Sequence, residues 1–486
     1  MWTSSRLSGA ITIYCAVIFS VLAGIFVTLF HEVRGSTIRF QIECGMDMGL
    51  FSVFAEYNRE LLDRYDLFFI DSSYGGKSAT YHNTEGHLLE YLQYNLEPER
   101  DITIGTVTDL YDMKVLETHF TEMALATDHM GALVRYEAIQ YMRTKYGLEL
   151  VEDLQGYMQE IEDYELLSVD TSSKRAETEA TIAKAKEEGV QISEDEWVEL
   201  DFDNPADEIN ADRSRGILNF TLEDVNDLSQ AAVDLSTYSS HRELSRGTGI
   251  TLPKGGTPEW EEEAGFTGQL LFQEYCMERM GNYLSPMQDG QLKYQIEYLI
   301  SGNNCDIENL KDVANSLIWL REAANVVYLM QDKVKMAEVE ALAWTLTALA
   351  PYLQPAVKAS LVLAWAYAES VIDVRHLLAG GKVPLMKSSS DWNLSFSSIL
   401  DYKSFLSNDE KEGKGLDYAT YLRILMALTD EDELTMRAID IMEMDLRLTP
   451  GNEYFRMDGC IFGVTALAYV ASGYGYEYHI KRTYYY

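Results

Sequence analysis

The sequence predicts an α+β protein that is mostly helical and begins with a transmembrane helix. Residues 9–30 are 22 consecutive uncharged and mostly apolar positions. Apolar residues then recur about every fourth position through residues 38–54, which is a helical spacing. Near the other end, residues 476–481 alternate between apolar and polar, as in a strand with one buried face. These patterns predict an N-terminal transmembrane helix that continues into a long amphipathic helix, and a small antiparallel sheet formed from both ends of the soluble chain.

The apolar run from Gly9 to Phe30 has the length of a membrane span. At about 1.5 Å of rise per residue it covers a bilayer core of about 30 Å. A cleavable signal would have an apolar run of roughly 7–15 residues and a small-residue cleavage site. We therefore expect residues 1–8 to be a cytoplasmic tail and residues 9–30 to cross the membrane.

One face of this span carries small residues. Every fourth position holds one of them: Thr12, Ala16, Ser20, Gly24 and Thr28. In lipid, close backbone approach through small residues is a main route to helix association. The stripe therefore predicts a helix partner in the membrane. The alternative is a chance register, because small residues are common in spanning segments.

Composition limits the function of the remaining chain. The net charge is −39 and the isoelectric point is near 4.5. These values argue against binding to nucleic acid and against binding to anionic lipid through a polybasic segment. With 47% hydrophobic residues the chain can bury a substantial core. The cysteines are too scattered for a zinc site or a dense disulfide framework, and we expect scattered buried thiols at Cys44, Cys276, Cys305 and Cys460, with Cys15 inside the span.

We divide the soluble body into four parts by local pattern. Residues 31–146 should hold a helix to about Arg64, strands at 67–70 and 102–107, and a helix over 118–146. Residues 147–260 should hold a charged helical hairpin at 152–167 and 175–189, then a linker or mobile insertion from about residue 201 to about residue 259.

The other two parts are a helical core and a terminal hairpin. In residues 261–385 we expect helices at 292–300, 307–328, 333–350 and 356–378. Pro351 and Pro355 interrupt the apolar run formed by the last two helices. Charged residues divide this run further into uncharged pieces shorter than the ~20 residues that a membrane span needs. We therefore expect these two helices to be buried core helices. Residues 386–486 should end in helices and a β-hairpin built from residues 460–470 and 476–481.

Motifs for chemistry are incomplete. Gly75–Ser78 ends like a phosphate-binding loop, but Asp71 replaces the first glycine and would repel phosphate. Residues 201–204 start like a calcium loop, but Pro205 and Ala206 occupy the next ligand and turn positions. The eight histidines are dispersed. We therefore predict no catalytic residue, no cofactor and no metal site.

One polar constellation lies on an otherwise apolar helix. Glu369, Asp373 and His376 follow at steps of four and three, so they share a helix face. They could act as carboxylates and an imidazole in acid–base chemistry. The alternative, which we favour, is a structural polar face with an Asp373–His376 contact and a donor for Glu369 from a neighbouring helix.

Several segments resemble a known family. Residues 39–62 (RFQIECGMDMGLFSVFAEYNRELL), 65–75 (YDLFFIDSSYG), 367–375 (YAESVIDVR) and 380–385 (GGKVPL) resemble an uncharacterised bacterial family of membrane-anchored proteins. That family is similar to the TadE/TadG-type pseudopilins of tight-adherence (Flp) pilus systems. The start, Arg6 to Ile13, is similar to the basic-then-Gly-Ala entry of such pseudopilins. Pilins carry a glutamate five residues after the processing glycine, where this chain has Tyr14 after Gly9.

The resemblance implies a function and a location. We expect a pseudopilin-like structural or assembly component of a pilus or secretion apparatus, not an enzyme, with its body outside the cytoplasmic membrane. The expected partners are other pilin-like or pilus-assembly membrane proteins, contacted through the N-terminal helix. The alternative is a membrane-anchored extracytoplasmic enzyme or ligand-binding domain that uses the helical core.

Overall fold

The computed structural model describes most of the chain. The described residues are 4–97, 111–146, 152–193, 196–198, 204–213, 228–251, 265–399, 402 and 414–486. They form a mostly helical body with one small antiparallel sheet made from both ends of the chain, and a long apolar N-terminal helix, as the sequence predicts. The predicted strand at residues 102–107 and most of the incomplete calcium loop lie outside the described residues.

The N-terminal helix α1 runs from Ser4 to Phe54 without a break. Its first part is bare, because nearly all side chains from Ile11 to Phe30 are exposed. Burial begins at Ile38. By length and composition this is the one helix among the described residues that could cross a membrane.

Helix α1 ends earlier than the predicted Arg64. The chain turns after Phe54, and Asn58 starts the separate helix α2 (Arg59–Tyr65) by accepting a hydrogen bond from the Leu61 backbone N–H at 3.0 Å. The Asn58 backbone N–H in turn donates to the carbonyl of Phe69 at 2.9 Å. The apolar spacing continues through the turn, so periodicity alone could not reveal it. Because of this turn, α2 packs into the helical core and α1 packs under the sheet.

The sheet is built around a central strand from the C-terminal end. Its strands are β1 (Ile70–Asp71), β2 (Met113–Leu125), β5 (Cys460–Ser472) and β6 (Glu477–Tyr485). Strand β5 pairs antiparallel with β2 on one edge and with β6 and β1 on the other. A separate short hairpin is formed by β3 (Val190–Ser193) and β4 (Glu196–Val198). The predicted joining of the chain ends is confirmed. Of the expected strand at 67–70, however, only Ile70 is paired, and Asp71, expected in the turn, pairs beside it.

The predicted helix over residues 118–146 is wrong in its first part. Residues up to Leu125 belong to β2, and the helix α4 covers Asp128–Tyr146. The residues of β2 suit either structure locally, and pairing with β5, from Met113 opposite Ser472 to Leu125 opposite Ile461, decides between them.

The helical core contains the predicted long helices. The remaining helices are α3 (Tyr81–Leu96), α5 (Glu152–Asp163), α6 (Thr171–Glu188), α7 (Pro205–Arg213), α8 (Phe266–Arg279), α9 (Gln295–Ser301), α10 (Asp306–Gln331), α11 (Lys333–Leu346), α12 (Gln354–Leu378), α13 (Tyr418–Leu428) and α14 (Glu431–Leu446). Helix α12 lies at the centre, against α10, α11, α6 and α7. Pro355 lies in its first turn, where a proline removes no helical hydrogen bond.

Two expectations for the middle of the chain need correction. Helices α5 and α6 pack mainly on the core, α6 against α12 and α5 against α13, and not on each other as a hairpin. The described parts of the expected loose insertion are also packed. Val233 donates its backbone N–H to the carbonyl of Asn304 at 2.9 Å, and Gly247 donates to the Asp128 carboxylate at 2.9 Å. The polar groups in these described parts of the insertion therefore form hydrogen bonds with the rest of the protein.

Candidate functional site

The predicted polar face on α12 is part of a buried ion cluster. The side chains of Glu369 and Asp373 are almost completely buried. The Lys387 ammonium bridges them, in contact with Glu369 and 2.6 Å from Asp373 Oδ1. Arg321 from α10 donates through Nε to Asp373 Oδ2 at 3.1 Å. Two carboxylates therefore face two cations.

The remaining hydrogen-bonding groups of this cluster have protein partners. Glu369 accepts the backbone N–H groups of Asn393 and Leu394 at 2.8 and 2.9 Å. The Arg321 guanidinium donates to the carbonyls of Pro384 and Leu385 at 2.9 and 2.5 Å. The cluster thus ties the segment after α12 to α10 and α12. This arrangement stabilises the core and leaves these groups no open coordination position.

The electrostatics of Asp373 agree with a structural role. Burial by itself raises the pKa of this carboxyl, but the charges of Lys387 and Arg321 hold the pKa below its ordinary value. A catalytic carboxyl near neutrality is usually shifted upwards. Asp373 therefore remains an anion that pairs with its neighbours.

His376 does not join the cluster. The predicted Asp373–His376 contact is replaced by the ion pairs of Asp373 with Lys387 and Arg321. The His376 ring lies instead beside Gly381, where a Cβ would come 2.3 Å from Nε2. The expected donor for Glu369 also comes from Lys387 and the backbone after it, and not from a neighbouring helix. Helical spacing alone could not show that residue 387 folds back onto this face.

A second buried carboxylate cluster was not predicted. Asp440, Glu443 and Asp445 on α14 are almost completely buried. Arg242, from the expected loose segment, donates to both oxygens of Glu443 at 2.6 Å and to Asp458 at 2.5 Å. The acids at core-facing positions of α14 are a sequence signal for this cluster, because buried acidic side chains require hydrogen-bond partners.

The two clusters differ in electrostatics. Burial raises the pKa of Asp440 and that of Asp445. For Asp458 burial acts in the same direction, but hydrogen bonds from Arg456, Ser245 and Arg242 outweigh it and lower the pKa to about 2. The group at α14 therefore mixes carboxyls held as anions with carboxyls shifted toward the neutral form.

Ser240 makes some of the contacts of a catalytic serine, with a histidine and an aspartate near its hydroxyl. Its Oγ lies 2.6 Å from His241 Nδ1 and donates to Asp440, which also accepts from Tyr298 at 2.8 Å. In a serine triad the aspartate orients the histidine, and the histidine takes the serine proton. Here Asp440 binds the serine directly. The geometry holds Ser240 in place and does not form a triad.

An apolar cavity of about 300 Å³ lies between α7, α11 and α12. Apart from Ser397, its lining is apolar: Ala206, Ile209, Leu342, Leu361, Ala364, Phe396 and Ile399. This volume is at the lower end of small-molecule pockets. Among the described residues, no group of three or more His, Cys, Asp or Glu side chains is placed to hold a metal ion.

The extended surface of α1 is the other candidate site. Beyond the bare segment, four large apolar side chains lie within an arc of about 80° on the helix, at 100° per residue. They are 51–66% exposed and are Val33, Phe40, Met48 and Phe51. We call these four residues the stalk stripe. Ile42, Met46 and Leu50 occupy the opposite, buried face. Outside the bare segment, this arc of α1 therefore carries large apolar side chains that no other part of the described chain covers.

The predicted membrane stripe lies on the bare part of the same helix. Its members Thr12, Ala16, Ser20, Gly24 and Thr28 are all exposed. A Cβ on Gly24 would meet no atom within 4 Å. The hydroxyls of Ser20 and Thr28 donate to the backbone carbonyls of Val17 and Gly24, one turn earlier. Packing of this stripe against another helix stays a prediction. All five cysteines are free thiols, but of the four expected to be buried only Cys276 and Cys460 are, while Cys44 and Cys305 are partly exposed.

The ion cluster of α12 should contribute strongly to stability. The change Asp373→Ala removes one of the two carboxylates that pair with the buried cations Lys387 and Arg321. Breaking a buried ion pair in this way typically lowers the free energy of unfolding by about 3–5 kcal/mol. We expect a clearly lower urea midpoint for the detergent-solubilised chain. The control is Glu340→Ala, which breaks the exposed pair with Lys358 and should cost less than about 1 kcal/mol. Equal effects of both changes would contradict the structural role.

Glu297 on α9 should make stability pH-dependent. Burial raises its pKa to about 7, and Oε2 has no hydrogen-bond partner among the described residues. Because the native state keeps this proton and the unfolded chain releases it near the ordinary pKa of 4.5, this group lowers stability as pH rises from about 4.5 to about 7. Above about pH 7 Glu297 is ionised in both states, so its contribution to the free energy of unfolding no longer changes with pH.

Glu297→Gln should therefore be more stable relative to wild type at pH 8 than at pH 5. The gain should approach about 3 kcal/mol, at 1.36 kcal/mol per pKa unit. Urea unfolding at the two pH values measures it, and Glu338→Gln on the exposed side of α11 is the control. A difference that does not change with pH would disprove the assignment.

The comparisons with known proteins identify a family but no function. Neither a curated protein nor a solved structure matches the chain significantly. The sequence model of one family, described as a family of unknown function (DUF5702), matches residues 195–472. The match covers the helical core from α7 to α14 and strand β5, which is more than half of the 486 residues. The chain therefore belongs to the DUF5702 family of unknown function.

Proposed function

We propose that this protein is a membrane-anchored, pseudopilin-like structural or assembly component of a bacterial tight-adherence pilus or secretion apparatus. The observation that carries the proposal is helix α1, which is bare over its first part and packed against an α+β head over its second part. A bare apolar helix of this length requires lipid or protein around it. Within the described chain, no other segment covers residues 11–30.

The anchor is single-pass, and the body lies outside the cytoplasmic membrane. Helix α1 is the one candidate span among the described residues. Lys and Arg residues flanking it barely favour either orientation, with Arg6 before the span and Arg34 and Arg39 after it. The outward orientation rests on the resemblance to pseudopilins.

The stalk stripe is the surface through which α1 contacts its partner. Its occupant is the N-terminal helix of another pilin-like subunit. Each such helix leaves the membrane in the same direction, so it can cover the bare segment and the stalk stripe together. A soluble partner could cover only Val33, Phe40, Met48 and Phe51. The buried area per contact would then be small compared with a standard interface of about 800 Å² per partner.

The charge of the body favours a component present in few copies. The chain carries 78 acidic and 39 basic residues. Close stacking of many such bodies costs self-repulsion. We therefore assign a minor, tip or initiating role and not that of the repeating shaft subunit.

The second candidate function is ligand binding in the apolar cavity between α7, α11 and α12. The cavity volume of about 300 Å³ suits a small apolar molecule. The part of its lining that the structure describes contains one hydroxyl, Ser397, and no titratable group. A site of this composition supports binding better than catalysis.

Phe40→Asp should weaken the helix contact, because it places a charge in the centre of the stalk stripe. Tyr94→Asp on α3 is the matched control, since Tyr94 is 85% exposed and lies off the stripe. A photoreactive benzophenone residue at position 51 should cross-link to a pilin-like membrane protein in intact membranes, and Phe40→Asp should reduce the yield. An unchanged yield, or equal loss with Tyr94→Asp, would contradict the proposed contact.

Deletion of the gene should abolish or shorten surface filaments, or block secretion by the same apparatus. Protease added to protoplasts should remove the body, and tagged protein should be rare in purified filaments. Normal filaments and secretion in the deletion strain would exclude an assembly role. Labelling along the whole filament would exclude a minor subunit. Protection of the body together with a cytoplasmic marker would reverse the topology.

A further inference from the structure

The turn between β5 and β6 lies against α1 where the bare segment ends. Tyr476 Oη is 2.9 Å from His31 Nδ1, and Tyr478 Oη donates to the carbonyl of Gly35 at 2.9 Å. The Arg34 guanidinium lies over the ring of Tyr474, 3.1 Å from its centroid. The turn therefore sits within one helical turn of Phe30, the last residue of the predicted span.

The sheet holds this turn at a fixed height. The Gly473 backbone N–H donates to the carbonyl of Asp112 at 2.8 Å, and Ser472 Oγ donates to the carbonyl of Tyr111 at 2.8 Å. Gly475 has a φ of 78°, a left-handed conformation that suits glycine. Because β2 and α1 both bind it, the turn cannot move along α1 without breaking the edge of the sheet.

The composition of the turn fits the border of a bilayer. Tyr474 is 48% exposed although its ring is large and apolar, and Tyr476 is partly exposed beside it. Tyrosine is enriched at membrane–water interfaces, where the ring faces apolar groups and the hydroxyl faces water. The exposed acids at the same level, Glu32, Asp112 and Glu477, outnumber the nearby cations Arg34 and Lys114, so the turn offers no basic cluster that would bind anionic lipid.

We propose that this turn is a second membrane contact, in which Tyr474 and Tyr476 lie in the headgroup layer of the bilayer that α1 crosses. The proposal rests on the anchoring role proposed for α1. Its lipid partner is electrically neutral, such as phosphatidylcholine or phosphatidylethanolamine, because acids outnumber cations beside the tyrosines. The turn sets how deeply the helix sits and holds the body at one angle to the membrane.

The test uses the full chain in phosphatidylcholine nanodiscs. A photoreactive benzophenone residue replaces one position at a time, and mass spectrometry detects lipid adducts after illumination. Position 474 tests the turn, and position 19 in the bare segment tests the anchor. Position 454 is the control, because Tyr454 is 47% exposed and the neighbouring Gly451 lies against Gly75, near the far end of α1.

We expect lipid adducts at positions 19 and 474 and no lipid adducts at position 454. Adducts at position 19 without adducts at position 474 would overturn the turn contact while the anchor stands. An absence of adducts at position 19 would overturn the anchor and the turn contact together. Equal adducts at positions 474 and 454 would show non-specific contact and would also overturn the proposal.

Discussion

Strand β6 and its flanking residues Tyr476 and Tyr486 lie along helix α1 from His31 to Phe54, and this contact joins the two ends of the chain. Tyr476 reaches His31 at one end, Arg482 pairs with Glu43 and Asp47 in the middle, and Tyr486 Oη donates to the carbonyl of Phe54 at 2.5 Å. At about 1.5 Å per helical residue and about 3.4 Å per strand residue, both segments span about 34 Å. The strand therefore supports α1 over its full packed length. The body has one orientation relative to the bare helix because of this support.

Buried ion pairs hold the helical core in a chain with a large negative charge. A buried carboxylate either pairs with a cation or shifts its pKa upwards toward the neutral form, because an isolated buried charge is costly. Lys387 and Arg321 neutralise Glu369 and Asp373, and Arg242 plays the same role for Glu443 on α14 and for Asp458. The cations that pair with these acids come from loops and from other helices, so each cluster ties segments that are far apart in the chain. The surplus acids remain on the surface, where they oppose close stacking of copies.

Much of the fold and part of the site could be predicted from local pattern. The helices at 306–331 and 354–378 and the terminal hairpin follow from periodicity, because the burial of one face repeats along the element. The break of α1 after Phe54 could not be predicted, since the apolar spacing continues across it. Residues 118–125 were assigned to a helix because their strand partner β5 is distant in sequence. The shared face of Glu369 and Asp373 was predicted, but its partners were not.

The sequence by itself determined the apolar N-terminal helix, the mostly helical α+β class and the strand pattern of the C-terminal hairpin, since each depends on spacing within a short segment. Tertiary structure decided which carboxylates find cations, which face of α1 stays uncovered and where the β5–β6 turn meets the helix. These features depend on contacts between distant segments, such as Lys387 with Asp373 and Tyr476 with His31. Local periodicity carries no information about such pairs, because each residue would be equally acceptable on a solvated surface.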